Sequence, residues 1–414
     1  MRSYLPALLL LALTAQTVLI AQKTTPTPPP SPAPSGGPSP IPIQGLDVYS
    51  HSLQRVIDDE RMNTPEPPTN PVTIVEFEKT LAENRSASDA KLAAILSGFA
   101  LTERANGARL SRWSTAFTGQ KTRQVFVALA DGSAFLPLPA EDIPATEPPS
   151  VVEQRRMVAA FAKFLGETLP GLPNFRATRL TTYFEDRPPR QLSLSTDPGA
   201  ADTLRNRPLH VVGTGRLKVA YVEGHEDTER NIGFDDAYLY ASRFTTAGEF
   251  GPILYGVMMD ATQSKLAWAR WESSADGPLA VFPFEAPKGK SHYSIKPPGS
   301  GNAQKQFVAY LGEIALHPSD GAVAWLSVVA RPAPEDAMAE ADIAVEYGRV
   351  EIGQRVYTCP VHGVALSKVP LVAARTTKPN QPVPLQTQLN DVSFQQYHVF
   401  RGDLHIAQDS KAQP

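Results

Sequence analysis

The sequence predicts an α+β protein: an N-terminal helical domain followed by a large, curved antiparallel β-sheet, an open half-barrel with one short helix. Three observations predict it. Apolar residues recur at helical spacing from Thr73 to about Leu169. After Leu172-Pro173-Asn174-Phe175 the period changes to two. The composition, 42% hydrophobic and 20% charged over 414 residues, supplies core for two or three domains. The expected division is a signal peptide at 1–21, a Pro-rich disordered linker at 22–44, the helical domain at 45–170, the β domain at 171–407 and a disordered tail at 408–414.

The chain opens MRSYLPALLLLALTAQTVLIAQ. Arg2 is a short positive region, Leu5 to Ala15 an apolar core, and Ala21-Gln22 a cleavage site, so a secretory signal is expected. The alternative is an uncleaved anchor, for which Tyr4 to Ala21 is near the short limit and is diluted by Thr14, Gln16 and Thr17. QKTTPTPPPSPAPSGGPSPIPI follows; proline has no N–H and a fixed φ, so this stretch reads as extended polyproline II broken at Gly36-Gly37. It is a spacer, or a stalk if the signal is kept. The expected location is periplasmic or secreted. Cys359 is the one cysteine, so no intramolecular disulfide forms, and its distance from the N-terminus rules out a lipoprotein anchor.

In the helical domain, Thr73-x-x-Glu76, Ser86-x-x-Asp89 and Ser150-x-x-Glu153 have capping-box form. Four apolar stripes follow. They are Leu92/Ile95/Leu96/Phe99, then Leu110/Trp113/Phe117, then Val125 to Leu136, then Val158/Phe161/Ala162/Leu165/Leu169, closed by Pro170-Gly171. The breaks are the Pro-rich segments 65–71 and 137–149.

In the β domain, RLKVAYVEG places Leu217, Val219 and Tyr221 on one face. Comparable runs are AYLYASRFTT, KLAWARWE, PLAVFPFEA, ADIAVEYG, QRVYTCPVHGVALS and LNDVSFQQYHVFRGDLHI. PILYGVMMDA, after Gly251, is the short helix. GEIALHPSDGAVAWLSVVA at Gly312–Ala330 is a hairpin turned at Ser319-Asp320-Gly321. Simple alternation groups Val323, Trp325 and Ser327 on one face and Ala322, Ala324, Leu326 and Val328 on the other. Both sets are largely apolar, so this sheet is either covered twice or shelters something apolar.

The strand run from Phe175 to Ile406 resembles the lipoprotein-carrier superfamily of LolA-, LppX- and RseB-like proteins. The likeness rests on Y-x-G-E-I-x-L-x-P-x-x-G-x-V at Tyr310–Val323 and a closing strand at Leu389–Tyr397. It implies an exported, unclosed antiparallel barrel with a helix on its concave face, and no catalytic residues. Most of 86–406 is also similar to exported proteins of Gram-negative soil bacteria to which no activity is assigned. The shared pieces are LTER at Leu101, LPNF at Leu172, TTAGEFGPIL at Thr245, VEYGRVEIG at Val345 and LNDVSFQQYHVFR at Leu389.

Net charge is −3, from 39 basic and 42 acidic side chains, which leaves no basic excess for a nucleic-acid backbone. The expected partner is a lipid or other apolar ligand, or an envelope protein, with no membrane span once the signal is removed. Trp268, Phe282, Phe284, Tyr310 and Trp325 are the expected ligand-lining residues. No catalytic, metal-binding or cofactor-binding set is read: HExxH, GxSxG, Walker A and GxGxxG patterns are missing. Cys359-x-x-His362 is a single two-ligand piece without a second pair. Glu249, Asp235-Asp236 and His225 are the candidates for a hydrolase, and each also reads as a loop or turn residue. The expected function is therefore an envelope protein that binds or carries an apolar ligand. The alternatives are a structural or interaction module and, behind it, a hydrolase.

Overall fold

A computed structural model describes residues 67–187, 206–229, 252–263, 266–295, 306–333, 338–370 and 385–399. The signal, the linker, the C-terminal tail, the AYLYASRFTT run, Asp235-Asp236 and Glu249 lie outside the described residues.

Five helices occupy the described part of the helical region: α1 (Ile74–Glu83), α2 (Asp89–Ser97), α3 (Gly107–Ala116), α4 (Gln120–Gly132) and α5 (Val151–Gly171). Two capping boxes form as expected. Thr73 N–H donates to Glu76 Oε2 at 2.8 Å and Glu76 N–H donates to Thr73 Oγ1 at 3.3 Å. Ser150 and Glu153 repeat this at α5, at 2.8 and 3.3 Å. The third box does not form, for a tertiary reason. Ser88, not Ser86, occupies the N-cap position of α2 and makes no side-chain capping bond, and the Asp89 carboxylate turns to the neighbouring helix. There it accepts from Lys121 N–H at 3.1 Å and Thr122 N–H at 2.9 Å. The α4 N-cap is Gly119, which has no side chain to satisfy those donors. Asp89 stands where a side chain at 119 would be: a Cβ there would lie 2.2 Å from its Oδ1.

Phe99 departs from the helical stripe. Gly98 ends α2, and β2 (Phe99–Leu101) pairs in parallel with β1 (Asn70–Val72). The core of this region gathers Ile74, Phe77, Leu96, Trp113 and Phe126.

The β region is one open, curved ten-stranded sheet. Its strands are β3 (Phe175–Glu185), β4 (His210–Val222), β5 (His225–Glu229), β6 (Arg270–Ser274), β7 (Gly277–Ala286), β10 (Ala309–Leu316), β11 (Val323–Arg331), β12 (Glu340–Ile352), β13 (Arg355–Pro370) and β14 (Leu385–Val399). Their order is β5-β4-β3-β14-β13-β12-β11-β10-β7-β6, antiparallel throughout. A separate short pair, β8 (Ser294–Ile295) and β9 (Gln306–Phe307), lies in the β7–β10 connection, and α6 (Pro252–Gln263) is the expected short helix. His225, read as a loop or turn residue, is already in a strand: Glu223 and Gly224 make the turn with positive φ, and His225 pairs with Val222 in β5. The KLAWARWE run enters the sheet only at Arg270.

Helices cover both faces. Met157, Phe161 and Leu165 of α5 and Val257 and Ala261 of α6 pack on Phe282, Ile314, Leu326 and Val345. On the opposite face Ala128 of α4 packs on Phe184, Val364, Leu366 and Leu389. The hairpin departs from simple alternation at one point. Leu316 pairs with Val323 while Ala315 pairs with Trp325, so Ala324 bulges out of register. The bulge moves Val323 onto the face of Leu326 and Val328, away from Trp325 and Ser327. Gly321 turns the hairpin at φ +74°. A Cβ there would also lie 2.3 Å from the backbone of Ala160 and Phe161, so the tip is pressed against α5.

Candidate functional site

The two faces carry different sites. On the α5–α6 face, successive turns of α5 present Val151, Val158, Phe161 and Ala162 toward a groove closed by Ala261, Leu266 and Phe282. The groove encloses about 480 Å³, and its two polar lining residues are Gln154 and Arg155. Phe282, 1% exposed, is its floor. Trp268 meets Phe282 edge-on, with ring centres 5.8 Å apart, and packs against Trp271 at 4.8 Å.

Phe284 and Tyr310 belong to the same apolar cluster and meet edge-on at 5.8 Å. The Tyr310 hydroxyl donates to Asp260 Oδ2 at 2.5 Å. Burial, reinforced by that carboxylate, holds the phenol well above its ordinary range. Asp260 also accepts the His292 backbone N–H at 3.0 Å and contacts His292 Nδ1. Of the five expected lining residues, four therefore gather in one cluster. Trp325 does not: it lies on the other face, where the Arg104 guanidinium sits 4.7 Å above its ring.

That other face is a polar seam. Arg104 Nη2 donates to Glu272 Oε1 at 2.5 Å, and Arg270 Nη2 reaches the same oxygen at 2.6 Å. Arg270 also grips Glu313 through both carboxylate oxygens, each at 2.6 Å. A cleft of about 780 Å³ runs beside this network, with Arg104, Phe135, Glu313, Ser327 and Arg331 among its walls, and Phe284 and Asp260 of the α5–α6 side line it as well.

Further along the same face, β12, β13 and β14 bring Glu346, His362 and Asp391 together beneath the last turn of α4. His362 Nε2 is 3.0 Å from Asp391 Oδ1 and 4.0 Å from Asp131 Oδ1, while Nδ1 is 3.7 Å from Glu346 Oε2. Burial disfavours a charged imidazole. The Asp391 and Glu346 contacts and the Asp131 charge outweigh it and raise the ring to about 11. Glu346 is more exposed, and His362 holds its carboxyl below the usual range. For Asp131 burial wins, and its carboxyl is pushed well up.

Asp131, His362 and Asp391 are the described residues that bring three ligating atoms within 4.8 Å of one another. Sequence spacing hid this group because its members come from one helix and two strands. Two-residue alternation does place Leu389 and Asp391 on one face of β14, which is the signal that was there to find. The Cys359-x-x-His362 piece is not a ligand pair. Val361 bulges between the two residues, and Cys359 packs with Val392 and Phe394 on the face opposite Asp391. Burial pushes the Cys359 thiol up to about 12, so it stays protonated. Compared with protein-family models, curated proteins and solved structures, the chain finds no match.

Proposed function

We propose that the protein is an exported, non-catalytic binding protein that shelters an apolar ligand, seated in the groove between α5 and α6. The single observation that carries this reading is that groove: about 480 Å³, walled by Val158, Phe161, Ala162, Ala261 and Leu266 and floored by Phe282. Its size lies within the usual range for small-molecule sites, and a mostly apolar wall with few polar groups is their common pattern. Arg155 in the lining favours an amphiphile with an anionic end, such as a fatty acid. The signal-like N-terminus and the likeness to the lipoprotein carriers support an envelope location for such a ligand.

Mass spectrometry of organic extracts from gently purified protein is the direct test. A bound lipid, displaced by a fluorescent fatty acid, is the expected result, and Ala162→Trp, which fills the groove, should abolish it. Empty protein that takes up no fatty acid overturns the reading.

The runner-up is a docking module for an envelope partner. It draws on Val152, 75% exposed, and on the exposed Tyr255 and Met259 of α6. It predicts a cross-link from those positions to another envelope protein, with nothing in the organic extract.

A further inference from the structure

The polar face holds a second site that the apolar-ligand reading does not use. Asp131 is 4% exposed, and its Oδ2 is buried without a hydrogen-bond partner. Leaving a carboxylate oxygen dry and unpaired is costly, and a bound cation removes the cost. The position itself favours a cation. Asp131 sits in the last turn of α4, at the negative end of the helix dipole. Ser133 fastens that turn: its hydroxyl donates to Ala130 C=O at 2.8 Å and accepts from Ala105 N–H at 3.0 Å.

Acidic groups outnumber basic ones here. Asp131, Asp391 and Glu346 face a single imidazole, and the nearby Arg104 is already held by Glu272. The histidine is arranged as a ligand. Glu346 lies 3.7 Å away on its Nδ1 side, while Nε2 is turned toward Asp131 and Asp391. His362 and Asp391 are partly exposed, so an ion has a way in.

We propose that Asp131, His362 and Asp391 form a binding site for a divalent first-row transition ion, with Glu346 orienting His362. One imidazole and two carboxylates suit Mn²⁺, Fe²⁺ or Zn²⁺ better than Ca²⁺ or Mg²⁺, which favour all-oxygen shells. Three protein ligands leave coordination positions open to water.

The test uses the full chain, stripped with chelator and titrated with MnCl₂ and with ZnCl₂ by calorimetry. One ion per chain, bound at micromolar or tighter affinity, is expected. Asp131→Asn and Asp391→Asn, checked for an unchanged circular dichroism spectrum, should each weaken binding by at least about tenfold. No saturable binding below millimolar metal, or equal affinity in the folded variants, overturns the proposal. Should the variants not fold, pulsed electron paramagnetic resonance of Mn²⁺ on the wild-type chain decides. Coupling to an imidazole nitrogen supports the site, and its absence defeats it. These readouts are independent of whether the α5–α6 groove binds lipid.

Discussion

The two faces of the sheet are drawn from alternate residues of the same strands, yet they bury opposite chemistries. On β12, Ile343 and Val345 point to the α5–α6 side, while Ala344 and Glu346 point to the α4 side. On β14, Val392 and Phe394 enter an apolar cluster, while Asp391 joins the charged group. One face is held by removal of apolar surface from water, which is non-directional and tolerates some repacking. The other adds to its apolar contacts a set of charges whose desolvation cost is met only if every partner is in place. Stability should therefore reside mainly on the first face and specific chemistry on the second.

The largest expected effect lies on the apolar face. Leu326, fully buried, becomes a cavity in Leu326→Ala, and urea denaturation should register a loss of about 2–5 kcal/mol. Next comes Glu272→Gln on the polar face, which leaves Arg104 and Arg270 short of a buried counter-charge. A loss of about 3 kcal/mol is expected in the same assay. A change near zero would mean that this seam is solvated, and the contrast between the faces would fail.

Gly321→Ala tests how the apolar face meets α5. The substituent adopts positive φ and meets the backbone of Ala160 and Phe161, so about 1–3 kcal/mol should be lost.

The last effect is read in pH dependence rather than in a single free energy. The His362 folded-state value of about 11 exceeds the usual unfolded value of about 6.5. Its contribution is complete below pH ~6.5 and fades as pH rises through about 11. The melting temperature of metal-free wild type should therefore fall more steeply between those limits than that of His362→Gln. Asp342, pushed up to about 8 by burial and by Glu340, adds a slope of the same sign between about pH 4 and 8. That slope is shared by both proteins and drops out of the comparison.

Most of the architecture was legible because it is local. The capping boxes at Thr73 and Ser150 involve residues three apart, and both formed. The Gly321 turn and the α6 start at Pro252 stood where composition placed them. Misreadings arose where a distant partner or a bulge intervened. Asp89 left its own helix to cap α4, and a bulge at Ala324 moved Val323 across the sheet. The aromatic set was partly legible: Trp268, Phe282, Phe284 and Tyr310 share one cluster, while Trp325 belongs to the other face.

By itself, the chain determined the α+β class, the change of period near Phe175 and the both-sided burial of the central strands. Periodicity, caps and turns act over a few residues and are written consecutively. Only the tertiary structure decided which helices cover each face, and that Asp131, His362 and Asp391 converge. Strand register and helix docking set those distances, and they depend on the packing of the whole chain rather than on the spacing of any one segment.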